Sequence, residues 1–209
     1  MDRNTAIARI QRGLGFRTDL VETIALAMQE QQRLLERGKT LPFFLLQEDQ
    51  TLSFTAGNSS ANLPERFLRV SDEDGIWYID DEDGLVQLTK MPYAEANAEY
   101  SEEDAGPPVA YSLRKDSIVI WPTPDVDYDL TWSYYKGGQL LTTNIENEWL
   151  ANAPDVLIGA AGISIATDVR DATAVQTFTA LYAAAWQNEL NEIAAREDND
   201  MPRALGRNN

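Results

Sequence analysis

The chain has 209 residues, of which 44% are hydrophobic, and its 34 Asp and Glu against 17 Lys and Arg give a net charge of −17. This hydrophobic share excludes wholesale disorder, and the acidic balance argues against ordinary duplex DNA binding, where basic residues neutralise phosphates. Because the chain has no Cys and no His, disulfides, thiolate metal sites and Ser-His-Asp or Cys-His catalysis are excluded. We find no signal peptide and no apolar stretch of membrane-spanning length, and we expect a soluble intracellular protein.

The amino-terminal residues predict two helices. A short helix is predicted from Asn4 to Leu14, with Asn4 as its cap. A longer helix is predicted from Thr18 to Arg37, because its apolar residues follow the three-and-four spacing of one buried face. Residues 1–40 carry a net charge of +2 and the remaining chain carries −19, so we expect a dipolar subunit.

From Leu41 the pattern changes to that of short strands separated by turn residues. A short helix opened by Pro92 is predicted from Met91 to Tyr100, and a tight turn is predicted at Lys115-Asp116. Strands are predicted in FFLLQED, TLSFTAG, FLRV, GIWYIDD and GLVQLTK, and three more in residues 108–137. These segments predict a small mixed sheet.

The segment SIVIWPTPDVDYDLTWSYYKG, residues 117–137, concentrates the aromatic residues. It predicts a β-hairpin, with a strand closed by Pro122, a turn at Pro124 and Asp125, and a second strand. Every second residue of that second strand is apolar, which predicts one packed face formed by Tyr128, Leu130, Trp132 and Tyr134. Trp121 and Tyr135 are predicted to point outward as interface residues.

The carboxy-terminal part returns to a helical pattern. A helix beginning near Asn152, with Pro154 in its first turn, is thin because of Gly159, Gly162 and several Ala, so another backbone can approach it closely. Asp171 is predicted to cap a last helix, from Ala172 to Arg196. The tail from Glu197 has no periodicity and is expected to be disordered when the protein is alone.

The order of elements predicts an α+β fold in which the N- and C-terminal helices form one bundle, and a small mixed or antiparallel β-domain, central in the sequence, projects from it. The predicted parts are helices in 1–40, a β-domain with a short helix and the PTPD hairpin in 41–140, helices in 141–196 and a flexible tail in 197–209.

No motif in the chain indicates a catalytic or cofactor site. The acidic run SDEDGIWYIDDEDG does not fit a calcium loop, because both possible registers place non-ligand residues at ligand positions. The aromatic residues near Trp121 could stack on single-stranded bases, but their neighbours are acidic, so core packing is favoured. A glycosidase needs two facing carboxylates, and no pair stands out. We therefore expect no enzyme activity, cofactor or metal.

Three segments together resemble one family, the head-to-tail adaptors of tailed bacteriophages and prophages, also called head-completion or tail-tubular-A-like proteins. They are the amino-terminal helices leading into KTLPFFL, the segment IVIWPTPDVDYDLTWSYYK, and the run NEWLANAPDVLIGAAGISIATDVRD. The resemblance spans nearly the whole chain up to Arg196, and it depends on the ordered set.

The resemblance implies a virion protein, made in the cytoplasm of the host bacterium, that forms a ring, usually a dodecamer, under the capsid portal. A tail nozzle or tail tube protein would attach below it, and DNA would pass through the lumen without sequence-specific binding and without membrane contact. The carboxy-terminal tail would order against the portal protein. Two alternatives remain: a carbohydrate-active hydrolase, and a virion accessory protein that is not the adaptor.

Two sets of interaction residues follow as expectations. A disordered tail with apolar and cationic anchors can order on a partner, and its expected portal contacts are Met201, Pro202, Arg203, Leu205 and Arg207. The hairpin is expected to dock the next tail component, through Trp121, Pro122, Pro124, Asp125, Asp127 and Tyr135.

Overall fold

The computed structural model of the chain describes residues 1–71, 75–80, 84–100 and 105–190. It confirms the α+β fold, with helices and mixed sheets in the described residues. The chain divides into two compact units. We call Met1–Leu45 with Gly137–Asn209 the helical unit, and Leu46–Lys136 the β unit.

The helical unit contains five α-helices in its described part, of which three are capped by a side chain. They are α1 (Arg3–Gly13), α2 (Val21–Leu35), and, after α3 of the β unit, α4 (Glu148–Asn152), α5 (Pro154–Asp168) and α6 (Ala172–Ala185). The cap predicted at Asn4 is wrong, because the Asp2 carboxylate accepts the Thr5 N–H at 2.8 Å and so caps the helix two residues earlier. The cap predicted at Asp171 is confirmed, since its carboxylate accepts the Ala174 N–H at 2.9 Å.

Several predicted helix boundaries differ from the structure. The helix predicted from Thr18 to Arg37 is a 3-10 turn over Thr18–Leu20 followed by α2, which ends at Leu35, and the short helix predicted from Met91 begins at Tyr93. The helix predicted from Asn152 is preceded by α4, which ends at that residue, and Ala153 separates it from α5. The last helix is α-helical only to Ala185 and continues as a π-helical turn over Trp186–Leu190. The remainder of the predicted helix, up to Arg196, lies outside the described residues.

Helices α5 and α6 pack closely through glycine. A side-chain carbon at Gly159 would lie 2.9 Å from the Tyr182 Cα, and one at Gly162 would overlap the Phe178 ring. Real carbon atoms do not approach so closely, so the two backbones could not sit at this distance with larger residues. The close approach predicted for this thin helix is confirmed.

The β unit contains nine strands and α3 (Tyr93–Glu99) in its described part. The strands are β1 (Leu46–Phe54), β2 (Ser60–Asn62), β3 (Phe67–Val70), β4 (Ile76–Asp80), β5 (Gly84–Gln87), β6 (Thr89–Lys90), β7 (Ala110–Leu113), β8 (Ser117–Trp121) and β9 (Tyr128–Lys136). One sheet has the order β1-β9-β4-β5, with β3 also paired to β9, and the other has the order β2-β8-β7-β6. The pairs are antiparallel except for β6 and β7.

The predicted hairpin is wrong, because β8 and β9 lie in different sheets. Strand β8 pairs with β2 and β7, whereas β9 pairs with β1, β3 and β4. Proline has no N–H, and the residues between the two strands bond to other segments: Gly57 N–H donates to the Pro124 carbonyl at 2.8 Å and Gly106 N–H to the Thr123 carbonyl at 2.9 Å. The proline-containing segment is therefore a crossing between sheets.

The two sheets share one hydrophobic core. Leu52, Ile76, Leu130 and Trp132 of the first sheet cluster with Tyr111, Ile118 and Ile120 of the second. The packed face predicted on β9 is confirmed, with Leu130, Trp132 and Tyr134 buried and Tyr128 partly buried against them. Ser133, on the opposite face of β9, is also buried, and its Oγ accepts the Asp49 N–H at 3.3 Å.

Two smaller predictions have opposite outcomes. The turn at Lys115-Asp116 is confirmed, since Arg114 N–H donates to the Ser117 carbonyl at 2.8 Å. The strand predicted from Phe43 is wrong in its first part, because Phe43–Leu45 forms a 3-10 turn after Pro42. There the Phe44 ring meets the Trp149 ring edge-on, with centroids 5.2 Å apart.

Candidate interaction surfaces

The residues predicted for tail docking do not form one surface. Tyr135 lies seven residues along β9 from Tyr128, and at about 3.4 Å per residue this places it about 24 Å from the sheet crossing. There the Arg69 guanidinium lies over the Tyr135 ring, 5.1 Å from its centroid. Tyr135 therefore lies apart from the other five residues.

Trp121 is buried, with 7% of its surface exposed, so the prediction that it points outward is wrong. Its ring meets the Tyr93 ring at a centroid distance of 5.3 Å, and the Arg114 guanidinium lies 4.2 Å from the centroid of Tyr93. Pro124 is buried as well, whereas Pro122 is partly buried. These residues anchor the crossing and leave its acidic part at the surface.

Asp125, Asp127 and Asp129 form an exposed acidic row that starts in the crossing and continues into β9. Each carboxylate accepts a local hydrogen bond: Asp127 from the Ala56 N–H at 2.8 Å, Asp129 from the Ser53 hydroxyl at 2.5 Å, and Asp125 from the Tyr128 hydroxyl at 3.0 Å. Burial, with the bond to Asp125, raises the pKa of Tyr128 to about 12. The row is therefore fixed in position as well as charged.

An exposed apolar pair lies on the neighbouring strands β4 and β5, of which β5 is the edge strand. Ile79 and Leu85 are directly opposite each other in the register, and both are largely exposed. This pair was not predicted, because its first strand was considered as part of the acidic run SDEDGIWYIDDEDG. The alternation of side chains along β4 was the available signal, because it places Ile79 on the face opposite to buried Ile76 and Tyr78. This placement requires that the strand contain no bulge.

A buried polar network fixes residues 138–150 to α2 within the helical unit. The Glu36 Oε1 atom accepts bonds from Gln32 Nε2 at 2.8 Å, the Gly138 N–H at 3.0 Å and Trp149 Nε1 at 3.2 Å. Asn147 donates to Gln32 Oε1 at 3.1 Å. This network was not predicted, since no pattern marks Gln32 of α2, or Glu36 at the end of that helix, as buried.

A groove of about 570 Å³ opens on the helical unit where α2, α5 and α6 meet. Its lining is mostly apolar or small and carries a single carboxylate, that of Asp168. The lining residues are Gln31, Leu34, Leu35, Ala160, Ile163, Ser164, Thr167, Asp168 and Tyr182. Such a surface fits an apolar side chain better than a polar ligand.

Phe16 is the most exposed aromatic residue outside this groove, with 71% of its surface accessible, and the sequence analysis did not single it out. It lies between α1 and α2 with φ of 62°, a left-handed backbone that bulky residues seldom adopt. Its N–H donates to the Gln11 carbonyl at 2.7 Å.

Several expectations concern residues outside the described part of the chain. The predicted portal contacts Met201, Pro202, Arg203, Leu205 and Arg207 lie there, as do the acidic residues 72–74 and 81–83 of the calcium hypothesis. Within the described ranges, no three acidic side chains converge as a metal site would require. None of the helices described there combines the length and apolar character needed to cross a bilayer.

The β unit carries most of the negative charge, with six Lys and Arg against nineteen Asp and Glu in residues 46–136, a net of −13. Among individually curated proteins, none matches this chain. The family model described as SU10 adaptor protein matches residues 1–207. The match covers both units, including the sheet crossing and the glycine-packed helices. The chain therefore belongs to the SU10 adaptor protein family, a family of phage head-to-tail adaptors.

Proposed function

We propose that copies of this chain form a ring, a dodecamer by family resemblance, between the capsid portal and the tail nozzle or tail tube. The observation that carries the proposal is the match of the adaptor family over residues 1–207 of 209. In this function the protein connects structural parts of the virion, and the viral genome passes through the ring during ejection.

The charge distribution supports a role as a DNA passage. A surface with net negative charge repels the phosphate backbone, so DNA can slide along it without being held. The β unit, with its net charge of −13, supplies most of that charge. The hydrolase alternative requires two facing carboxylates. The groove on α2, α5 and α6 carries only Asp168, and a second cavity is lined by Glu65 and Asp116 together with Arg66 and Lys115.

Portal capture tests this function. The mass of the purified protein is measured alone and after mixing with the assembled portal of the same virus. We expect stoichiometric capture, with twelve copies on a dodecameric portal, even if the free chain is monomeric. A correctly assembled portal that captures no chain would overturn the proposal, and a screen for glycan hydrolysis would then examine the alternative.

We further propose that the tail holds the portal, through Met201, Pro202, Arg203, Leu205 and Arg207. Truncation after Arg196 is expected to abolish capture. The matched control is the full-length chain with Arg203→Lys and Arg207→Lys, which keeps the charge and should retain capture. Normal capture by the truncated chain would remove the tail from the contact.

We also propose that the acidic surface of the sheet crossing docks the next tail component, with Pro122, Asp125 and Asp127 exposed or partly exposed there and Trp121 and Pro124 holding the segment from below. Asp125→Lys is expected to weaken nozzle attachment to portal-bound rings. Asp116→Lys, at an exposed turn elsewhere in the β unit, serves as the control. Equal attachment by both variants would assign docking to another surface.

A further inference from the structure

We propose that Phe16 inserts into the groove of α2, α5 and α6 on a neighbouring copy of the chain and so forms the contact between subunits. The inference rests on the proposed ring, which it deepens by naming the two surfaces that meet. Both lie in the helical unit, so each copy carries one of each.

Phe16 has an unusual backbone conformation. Of the four non-glycine residues with positive φ in the described chain, Phe16 is the one aromatic residue. The left-handed conformation of Phe16 costs stability, and its exposed ring contributes no hydrophobic stabilisation in return. Residues held in such a conformation cluster at sites of function, where the surrounding structure fixes them.

The surroundings of Phe16 hold it rigidly. The Arg17 guanidinium pairs with both carboxylate oxygens of Asp19, at 2.8 and 2.7 Å. Gln11 Nε2 donates to the Arg17 carbonyl at 3.1 Å, and the Phe16 N–H donates to the backbone carbonyl of the same Gln11. The backbone that carries the ring is therefore tied by hydrogen bonds, so docking the ring costs little backbone conformational entropy.

The groove has the matching properties. Leu34, Leu35 and Ile163 supply apolar walls, Ala160 leaves space between them, and Tyr182 offers an aromatic surface. The volume of about 570 Å³ has room for a phenylalanine ring and its neighbours. At the rim lies the exposed Asp168, and four residues before Phe16 lies the exposed Arg12, so these two side chains offer one oppositely charged pair across the contact.

The positions of the two surfaces favour contact between copies. Leu34 lies thirteen residues beyond Val21 on α2, about 20 Å along the helix axis, and Phe16 precedes that helix. Phe16 does not line the groove of its own chain. A projecting side chain and a receiving groove at different places on one subunit form a head-to-tail contact, which closes into a ring when the rotation between copies allows it.

Cysteine cross-linking tests the contact directly, because the natural chain has no Cys. Thr18→Cys lies beside the projecting ring and Thr167→Cys at the groove rim, and both positions are exposed. Chains with one substitution each are mixed, with and without portal, and treated with a short thiol cross-linker. We expect a dimer containing one chain of each kind, and at least a tenfold lower yield when Thr177→Cys, outside the groove lining, replaces Thr167→Cys.

Phe16→Asn is the decisive variant, because Asn tolerates the left-handed conformation that Phe16 adopts. We expect its midpoint of urea unfolding to stay unchanged or to rise, while cross-linking falls at least tenfold. Asp168→Lys should weaken cross-linking, and Arg12→Glu in the partner chain should restore it. Cross-linking that survives Phe16→Asn would overturn the inference.

The outcome is separable from that of the proposed function. If the portal captures the wild-type and Phe16→Asn chains equally as full rings, the subunit contact is overturned and the adaptor function stands. If the portal captures neither chain, the proposed function fails. The cross-link between concentrated free chains then decides the contact alone, with a Phe16-dependent link supporting it and no link overturning it.

Discussion

Glu36 brings a carboxylate into the interior of the helical unit, where Gln32, Gly138 and Trp149 all donate to it. Removing the carboxylate leaves these buried donors without a hydrogen-bond acceptor, and each unsatisfied buried donor lowers the stability of the fold. We therefore expect Glu36→Ala to lower the free energy of unfolding by about 3 kcal/mol in urea titrations. Glu30→Ala, exposed on α2, the helix that ends just before Glu36, should change it by less than about 0.5 kcal/mol. Equal effects of the two would show that the network contributes little.

Tyr128 gives the β unit a specific response to high pH. Its pKa is raised to about 12 in the folded state, from the ordinary value of 10.0, first by burial and then by the bond to Asp125. The folded protein therefore holds this proton more tightly, so the stability contribution is complete below pH 10 and is lost as the pH rises toward 12. Unfolding midpoints of wild type and Tyr128→Phe, measured between pH 9 and 12, should show a smaller alkaline decline in the variant. An unchanged decline would assign the effect to other tyrosines.

At the scale of elements, Gly162 sets the distance between α5 and α6. A methyl group there would overlap the buried Phe178 ring, so we expect Gly162→Ala to destabilise the fold by about 1 to 3 kcal/mol, as overpacking does. In a Phe178→Ala background the loss should shrink, because the second substitution removes the clash. Gly106→Ala is the matched control, since its methyl would lie 3.7 Å from Pro122, an ordinary contact. Additive losses in the double variant would contradict this packing.

The elements also show what the sequence could and could not predict. The period of two in β9 identified its buried face, and the small residues of α5 identified close helix packing, because both are local patterns. Which strand pairs with which is not local: the prolines at 122 and 124 indicated a break, but a hairpin and a sheet crossing have the same local signal. The acceptor for Gly57, the Pro124 carbonyl, lies 67 positions along the chain and no pattern marks it.

The interaction surfaces were less predictable than the fold. Trp121 and Tyr135 are aromatic residues beside a turn, which is equally typical of anchors and of interface residues. The structure buries the first and places the second at the far end of its strand. Phe16, by contrast, is identified only by its backbone conformation and its exposure, and neither property can be predicted from the residue type.

At the scale of the whole molecule, the β unit begins and ends on paired strands. Leu46 on β1 lies opposite Tyr135 on β9, so the two ends of this unit are neighbours. We expect a fragment of residues 46–136 to fold by itself and to unfold cooperatively, as followed by tryptophan fluorescence and circular dichroism. A fragment ending at residue 127 lacks β9, the strand that pairs with β1, β3 and β4, and should not fold. If the fragment of residues 46–136 does not unfold cooperatively, the β unit requires the helical unit in order to fold.

The division of the chain also has a consequence for synthesis. The β unit is one continuous stretch of sequence, whereas α1 contacts residues that come much later in the chain. Arg9 pairs with Asp155 at 2.6 Å across 146 positions, and the Arg3 N–H donates to the Ile145 carbonyl. On the ribosome, the amino-terminal helices therefore emerge first, but they can pack against α5 and α6 only after the β unit has been synthesised and has had time to fold. Their apolar faces stay uncovered for most of translation, and during that interval newly made chains are most open to chaperones and to premature association with one another.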